Sequence, residues 1–278
     1  MNKFSVLVIT RDHAPYIEEC LTSLKQVPVQ HLQISVVDTG SIDDTVEVVR
    51  RYRDGHREQR IQVHQLSRGT TSLMAIQSAL ETIDTDYVLL ISGDDFLGSG
   101  VEEMIGRVLS LDSQKMVINF TLELVDSSGR YMKSVEPKWT GNPRRDRKKL
   151  FVGNPGTAPG CILPWQLLRS MENWPSDGEM LIEDYWLWWA LADKALFLNA
   201  RTGFVNYRQH SASVTGLSRN PQFAYSVGYC VRTAQINAHT FVEWLATLVL
   251  LARWSRNLRV SDWLSIYRGL RAEQHHGH

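Results

Sequence analysis

The 278-residue sequence has few cysteines and no excess of charge of either sign. Its three cysteines, Cys20, Cys161 and Cys230, are far apart and show no C-x-x-C spacing. This pattern excludes a disulfide scaffold and a cysteine-based zinc site, and it is typical of a protein from a reducing compartment. Thirty basic residues balance thirty acidic ones, so no overall positive field would hold a nucleic-acid backbone. We therefore expect no nucleic-acid partner.

The sequence also lacks a long apolar run. The longest such stretch, residues 244–252, lies between Glu243 and Arg253 and is far shorter than the roughly 18 residues that a spanning helix needs. Near the N-terminus, Lys3 precedes only a short apolar segment, residues 4–10, which is too small for a secretion signal. The sequence therefore predicts a cytoplasmic protein, either free or held peripherally at the inner face of a membrane.

The first 111 residues predict an α/β fold. Short runs rich in β-branched residues alternate there with longer amphipathic stretches, which is the pattern of βαβ units around a mostly parallel sheet flanked by helices. The predicted strands span residues 4–10, 33–38, 61–65 and 87–92. The predicted helices span residues 16–26, 45–52, 73–80 and 101–111.

Beyond residue 115 the pattern changes. Residues 116–125 and 130–135 flank a turn sequence, DSSG, and predict an antiparallel hairpin. Residues 144–149 are strongly basic and predict a loop, either solvated or in contact with an acidic acceptor or a phosphate-rich surface. All nine tryptophans follow residue 138, where they serve either the core or the stacking of sugar rings. Residues 154–160 are rich in Gly and Pro and form either a plain turn or a loop that shapes an acceptor site.

The C-terminal segment differs in charge from the rest of the chain. From residue 216 onward there are seven arginines and three acidic residues. Residues 241–254 and 260–270 predict amphipathic helices. Two interpretations stay open for this segment: a membrane anchor that lies on an anionic surface, or a helical pair that packs on the body or on another subunit.

Polar residues stand at the ends of three predicted strands. They are Thr10 and Arg11 for the first strand, Asp38 and Thr39 for the second, and Ser92, Gly93, Asp94 and Asp95 for the last. Open α/β sheets bind ligands at the carboxyl ends of their strands. Two adjacent carboxylates after a buried strand are costly to ionise without a cation, so the pattern favours Mg²⁺ or Mn²⁺ and a nucleoside diphosphate, with solvated loop carboxylates as the alternative.

Five segments together resemble the family-2 glycosyltransferases of the GT-A fold. They are residues 5–12 (SVLVITRD) with 16–21 (YIEECL), 36–45 (VVDTGSIDDT), 87–95 (YVLLISGDD), 182–188 (IEDYWLW) and 207–213 (YRQHSAS). The resemblance implies a glycosyltransferase domain over residues 1–215, with a nucleotide-binding half (1–112) and an acceptor half (113–215). Residues 216–278 would then be a helical extension.

The resemblance implies an inverting transfer from a nucleotide sugar to a hydroxyl of a glycan or lipid-linked acceptor, in surface polysaccharide synthesis. Asp184 would be the general base, and Glu183 would orient the acceptor or the base. The donor would contact Thr10, Arg11, Asp38, Thr39, Ser92, Gly93 and Asp94, and a divalent cation, Mn²⁺ or Mg²⁺, would be held by Asp94, Asp95 and His210. Ser92 and Thr39 stand where many family members carry aspartates, which leaves the nucleotide open.

Three other functions fit single features of the sequence. Ser92 would also suit a catalytically degenerate domain that binds a membrane or a partner. The string VVDTGS at residues 36–41 is the active-site signature of aspartic proteases, but the second copy that such an enzyme needs does not occur. A nucleotidyltransferase should carry a Gly-rich loop after the first strand, and residues 10–13 contain no glycine. The glycosyltransferase interpretation accounts for more of the motifs than any of these.

Overall fold

A computed structural model describes residues 3–30, 32–110, 115–171, 174–175, 182–210, 221–254 and 262–271. Its strands are β1 (Phe4–Thr10), β2 (Gln33–Asp38), β3 (Arg60–Gln65), β4 (Tyr87–Ser92), β5 (Phe96–Leu97), β6 (Met116–Val125), β7 (Tyr131–Val135), β8 (Cys161–Pro164) and β9 (Leu196–Arg208). Its helices are α1 (Ile17–Ser23), α2 (Thr45–Gly55), α3 (Ser72–Ala79), α4 (Val101–Ser110), α5 (Pro143–Leu150), α6 (Trp165–Arg169), α7 (Glu183–Leu191), α8 (Pro221–Ile236), α9 (Phe241–Trp254) and α10 (Trp263–Arg271).

The strands form one mixed sheet in the order β3-β2-β1-β4-β8-β6-β9-β5, and β7 pairs with β6. Strands β1 to β4 pair in parallel, which confirms the predicted βαβ half. The second half adds β8 antiparallel to both β4 and β6, the predicted β6–β7 hairpin, and a parallel pairing of β6 with β9. Strands β1 to β4 agree with the predicted bounds to within one residue, whereas β5 was not predicted.

The central strands are covered on both faces. On β1, Leu7 packs into one apolar cluster, while Val6 and Val8 pack into another, because successive side chains of a strand point to opposite faces. The same alternation separates Leu90 from its neighbours on β4. Burial on both faces explains why these strands read as nearly continuous apolar runs. The predicted sheet with helices on both sides is confirmed.

Residues 144–149, expected to form a loop, lie instead in helix α5. The Asn142 side chain accepts a hydrogen bond from the Arg145 amide at 3.1 Å, and Pro143 occupies the first helical position. An asparagine cap followed by proline is a strong helix-start signal, which outweighs the charge of the segment. Arg147 lies over the rings of Phe151 and Trp189, so one of the basic residues is a packing residue rather than a solvated one.

Most tryptophans that the structure describes belong to the core. The buried ones are Trp139, Trp165, Trp186, Trp188 and Trp189. Trp139 stacks on Phe197 at a centroid distance of 4.2 Å and meets Trp188 edge-on. The late tryptophans therefore build the apolar cluster around α7 and not an open stacking platform.

The C-terminal helices pack against that cluster. Helix α9, which contributes the buried Leu250, has the predicted bounds. Helix α10 begins at Trp263, and residues 260 and 261, which the sequence places in the same helix, lie outside the described residues. Helix α8 is an addition that the sequence analysis missed. It packs closely on α10 at Gly228. A Cβ at this position would lie only 2.0 Å from the Ile266 carbonyl oxygen, so the two helices can approach this closely only with glycine there.

The hydrophobicity of the helices bears on how the chain could meet a membrane. In the part of the chain that the structure describes, no helix has both the length and the apolarity to cross a bilayer. This agrees with the short apolar runs of the sequence.

Candidate active site

The loops after β1 and β2 are joined by hydrogen bonds. The Thr39 amide donates to the Thr10 carbonyl at 2.9 Å. The buried Asp38 carboxylate accepts from the amides of Gly40 and Ser41 and from the Ser41 hydroxyl. Asp38 therefore positions the turn that follows β2, and its predicted contact with a donor hydroxyl stays a prediction.

Asp12 connects this turn to the loop after β3. It has a positive φ of 55°, and its carboxylate accepts from the Ile42 amide at 2.8 Å and pairs with Arg68 at 3.0 Å. Partial burial opposes the charge of Asp12, but the Ile42 amide, Arg68 and Arg11 lower its pKa overall. Arg68 also donates to the Gly40 carbonyl at 2.9 Å. The sequence analysis missed the pairing of Asp12 with Arg68, because it depends on three loops coming together.

Gly93 allows the ends of β1 and β4 to approach closely. A Cβ at this position would lie 2.6 Å from Thr10 Oγ1 and 2.7 Å from Ile17 Cδ1, which is too close for any other residue without movement. The Gly93 amide donates to the Ile9 carbonyl at 2.8 Å. Thr10 and Gly93, both predicted to contact the donor, therefore lie side by side at the ends of β1 and β4.

Asp94, His210 and His13 form a compact cluster at the end of β4. His210 Nε2 lies 3.0 Å from Asp94 Oδ2, and His13 Nε2 lies 3.6 Å from the same oxygen. One ligand atom from each residue lies within 4.8 Å of the other two. Ser92, which replaces an aspartate of the family motif, donates a hydrogen bond from its hydroxyl to Asp94.

The cluster contains part of what the sequence predicts and one residue more. The predicted proximity of Asp94 and His210 is present, and His13 is an addition that the sequence analysis missed. Of the motif that carries His210, residues 211–213 lie outside the described residues.

The electrostatics of this cluster suit cation binding. Burial raises the pKa of Asp94, but the hydrogen bond from His210, the neighbouring His13 and the Ser92 hydroxyl outweigh burial and leave that pKa lowered. Burial also lowers the pKa of His13, which favours the neutral imidazole, the form that binds metals. A charged carboxylate next to neutral imidazole is a donor set that fits a divalent cation.

Asp95 lies outside this group of ligand atoms. It is fully buried, and its Oδ1 accepts a hydrogen bond from the Arg208 amide at 2.9 Å. Burial and the adjacent Asp94 raise the pKa of Asp95 well above its usual range. The residue predicted as a second carboxylate ligand thus contacts β9 instead, because the chain turns its side chain into the sheet.

The predicted catalytic pair begins helix α7. Asn154 Nδ2 donates to Asp184 Oδ2 at 2.6 Å, and the Tyr185 amide donates to Asp184 Oδ1 at 2.8 Å. Burial raises the pKa of Asp184. Burial and the charge of Asp184 raise the pKa of Glu183 to about 8, while a hydrogen bond with Ser72 opposes this. The pKa values of both carboxyl groups are therefore raised, and Glu183, with a pKa of about 8, is mostly neutral near pH 7.

The loop at residues 154–160 fixes the orientation of Asp184. Asn154 Oδ1 accepts from the Gly156 amide at 3.1 Å, while the Asn154 amide group reaches Asp184. The Thr157 hydroxyl donates to the Phe120 carbonyl at 2.8 Å, which holds the loop against β6. The loop therefore contacts the predicted base, and its role in shaping an acceptor site stays a prediction.

The predicted catalytic pair, Glu183 and Asp184, lies at the same edge of the sheet as the cluster of Asp94, His13 and His210. Burial, and after it the charge of Asp184, raises the pKa of the Cys161 thiol, so these two side chains are close. Cys161 pairs with Leu90, which stands two residues before Ser92 on β4. Both sets of candidate residues therefore face the carboxyl end of the central strands, where open α/β sheets bind ligands.

Comparison with known proteins identifies the family. The model of glycosyl transferase family 2 matches residues 5–165, more than half of the chain. The putative glycosyltransferase EpsH of Bacillus subtilis is 21% identical over 150 residues, which cover 54% of this chain and 43% of EpsH. The poly(ribitol-phosphate) β-N-acetylglucosaminyltransferase TarS of Staphylococcus aureus is 32% identical over 99 residues, 35% of this chain and 17% of TarS. The matches thus span less than half the length of these relatives.

Solved structures share the fold over nearly the whole chain. Residues 1–349 of S. aureus TarS in complex with UDP-GlcNAc superimpose with a TM-score of 0.64 and 19% identity, covering 96% of this chain and 79% of that one. The mannosyltransferase PcManGT from Pyrobaculum calidifontis, in complex with GDP-Man and Mn²⁺, gives a TM-score of 0.63 at 14% identity, covering 97% and 73%. These likenesses confirm the predicted GT-A fold. The family match over residues 5–165 shows that the chain belongs to glycosyl transferase family 2.

Proposed function

We propose that the chain transfers a sugar from a nucleoside-diphosphate sugar to an acceptor hydroxyl with inversion, in the synthesis of a surface glycan. The observation that carries this proposal is the hydrogen bond of 2.6 Å from Asn154 Nδ2 to Asp184 Oδ2, which orients this carboxylate beside Glu183, whose pKa burial and Asp184 raise to about 8. A site that places an ionisable carboxylate beside a neutral one can assign the role of base to one of them. The names of the relatives TarS and EpsH support a sugar-transfer reaction.

The reaction follows from the position of Asp184. A sugar hydroxyl is a weak nucleophile near pH 7, so a carboxylate must accept its proton as the new bond to the anomeric carbon forms. Asp184 takes that proton, and the bond from the anomeric carbon to the diphosphate oxygen breaks, with its electron pair leaving on the diphosphate. Asn154 holds the carboxylate in the orientation needed. Glu183, neutral at this pH, can donate a hydrogen bond to the acceptor.

Asp94 and His210 would hold the divalent cation, Mn²⁺ or Mg²⁺, on which we propose the reaction depends. Their ligand atoms lie 3.0 Å apart, and Asp94 keeps its charge despite burial. A bound cation would neutralise the charge that develops on the leaving diphosphate. The neighbour PcManGT was solved with GDP-Man and Mn²⁺, which supports the presence of a cation at such a site.

A thermal-shift panel tests the donor site. We expect one of UDP, GDP, dTDP and CDP to raise the melting temperature of the full chain in the presence of Mn²⁺, since a ligand at 100 times its Kd adds about 2.7 kcal/mol of stability. The variant Asp94→Ala should lose this shift, and Asp54→Ala, which changes an exposed carboxylate on α2, should retain it. A wild-type protein that no nucleotide stabilises with any cation would contradict the proposal and favour the degenerate binding module.

We also propose that helix α9 contacts the anionic inner face of a membrane. Its exposed residues include Phe241, Val242, Leu245, Leu248 and Val249, and the segment from residue 216 onward carries an excess of arginine. Exposed apolar and basic side chains together suit anionic headgroups.

Flotation with phosphatidylglycerol vesicles measures this contact. The triple variant Phe241→Ser, Leu245→Ser, Val249→Ser should float less than wild type, while Met132→Ser, which changes an exposed apolar residue on β7, should float equally. Equal flotation of the triple variant contradicts membrane contact. If wild type is a dimer in solution and the triple variant is a monomer, this face of α9 is a contact between two copies of the chain.

A further inference from the structure

The strongest unassigned feature of the site is the imidazole of His13. We propose that His13 is a third protein ligand of the cation, so that the chain binds a transition-metal ion by itself, before the nucleotide, and in preference to Mg²⁺. This inference rests on the proposed function, which needs only Asp94 and His210 at the cation.

The spacing of the three ligand atoms fits one ion. His210 Nε2 and His13 Nε2 lie 3.0 Å and 3.6 Å from Asp94 Oδ2, and one ligand atom from each of the three residues lies within 4.8 Å of the other two. Two ligand atoms that each lie about 2.1 Å from an ion are at most about 4.2 Å apart. A small rotation of one imidazole therefore brings all three atoms into the range of a shared ion.

His13 is held in place by its backbone. Its amide donates to the Thr45 hydroxyl at 2.8 Å, and its carbonyl accepts from the amides of Tyr16 and Ile17 at 2.9 Å and 3.0 Å. The ring meets that of His210 edge-on at a centroid distance of 6.1 Å. Because the backbone is fixed from both sides, the imidazole needs little ordering when an ion binds.

The hydrogen bonding of the His13 ring leaves room for a ligand. Its Nδ1 is buried and has no hydrogen-bond partner among the described residues, and its Nε2 is 3.6 Å from Asp94, too far for a good hydrogen bond. An ion between His13 and Asp94 would give Nε2 a close partner that the described residues do not supply.

The chemistry of the donor set decides which ion fits. Two imidazole nitrogens and one carboxylate oxygen suit Mn²⁺, Fe²⁺, Co²⁺ and Zn²⁺, whereas Mg²⁺ prefers oxygen ligands and keeps its waters. Three ligands on one side of an ion leave positions open for diphosphate oxygens. With only Asp94 and His210, the nucleotide would have to complete the site, but with His13 the nucleotide-free protein can retain the ion.

Titration of the metal-free full chain with Mn²⁺, followed by the electron paramagnetic resonance of free Mn²⁺, tests this inference. Wild type should bind one Mn²⁺ without nucleotide, and more tightly than Mg²⁺ in competition. His13→Gln should weaken Mn²⁺ binding by about tenfold or more. The control is His64→Gln, since His64 on β3 also has a buried ring nitrogen without a partner among the described residues and lies outside the cluster. This control should bind Mn²⁺ as wild type does.

A second measurement does not depend on the folding of a variant. Pulsed electron paramagnetic resonance of Mn²⁺ bound to the wild-type protein should show coupling to two imidazole nitrogens. Three results would each overturn the inference and leave the proposed function intact. They are a single coupled nitrogen in wild type, unchanged Mn²⁺ binding in a folded His13→Gln variant, and a wild type that binds Mn²⁺ only when nucleotide is present. Conversely, tight Mn²⁺ binding by a protein that no nucleotide stabilises would contradict the proposed function alone.

Discussion

Replacing Asp184 with asparagine is expected to lower kcat by about 10²- to 10⁴-fold, the range that general-base catalysis contributes. Asparagine keeps the size of the side chain but cannot accept the proton of the acceptor hydroxyl. The donor site is built by other residues, so nucleotide binding in the thermal-shift panel should be unchanged. Initial rates at saturating donor and acceptor measure the effect on kcat.

Two further variants show whether the loss is specific to Asp184. Asp193→Asn makes the same change at an exposed carboxylate just beyond α7 and should leave kcat unchanged. Glu183→Gln mimics the neutral carboxyl that the raised pKa of about 8 predicts at pH 7, so it should cost much less than Asp184→Asn. A larger loss in Glu183→Gln than in Asp184→Asn would reverse the two roles.

The pH profile offers an independent check of the same assignment. Burial raises the pKa of Asp184, so the rate should fall with decreasing pH at a higher pH than an ordinary aspartate would give. Near pH 8, Glu183 ionises and adds a second negative charge beside the base. Wild type should therefore change its rate near that pH, and Glu183→Gln should not.

The parallel half of the sheet could be predicted from the sequence because its strands are buried on both faces. Burial on both faces gives apolar runs such as that of β4, which need no long-range information to recognise. The prediction of a loop at α5 was wrong because the Asn142 cap and Pro143 start a helix despite the charge of the segment. Strand β9 shows an irregular burial pattern and shifts register against β6 near Asn119, so its periodicity could not reveal it.

The site was predictable only where a motif names its residues. Asp94 and His210 come from two motifs of the resembled family, and the structure brings them together. His13 was not singled out by any motif, and it reaches Asp94 only because the loop after β1 folds over the end of β4, with Asp12 at a positive φ. Asn154 contacts the carboxylate of Asp184, the predicted base, although the two residues are 30 positions apart in the sequence. Contacts of this kind depend on the tertiary fold and leave no local pattern.

Arg208 is expected to be one of the residues on which stability depends most. Its guanidinium is almost fully buried, donates to the Asp94 carbonyl at 2.9 Å and pairs with Glu19 at 2.5 Å. It also lies over the rings of Tyr16 and Phe96. Arg208→Met keeps much of the apolar stem but removes these donors and the positive charge near the two aspartates after β4. We expect the free energy of unfolding, measured in urea, to fall by about 3 to 5 kcal/mol.

The control and a double variant separate the possible causes. Arg107→Met removes an exposed arginine that pairs with Glu103 on α4, and should change stability by less than about 1 kcal/mol. If the cost of Arg208→Met comes from leaving Asp95 buried without a nearby positive charge, Asp95→Asn should recover part of it in the double variant. A loss no larger than that of Arg107→Met would contradict the role of Arg208. Because Arg208 also holds the backbone of Asp94, its loss should weaken Mn²⁺ binding even where the protein stays folded.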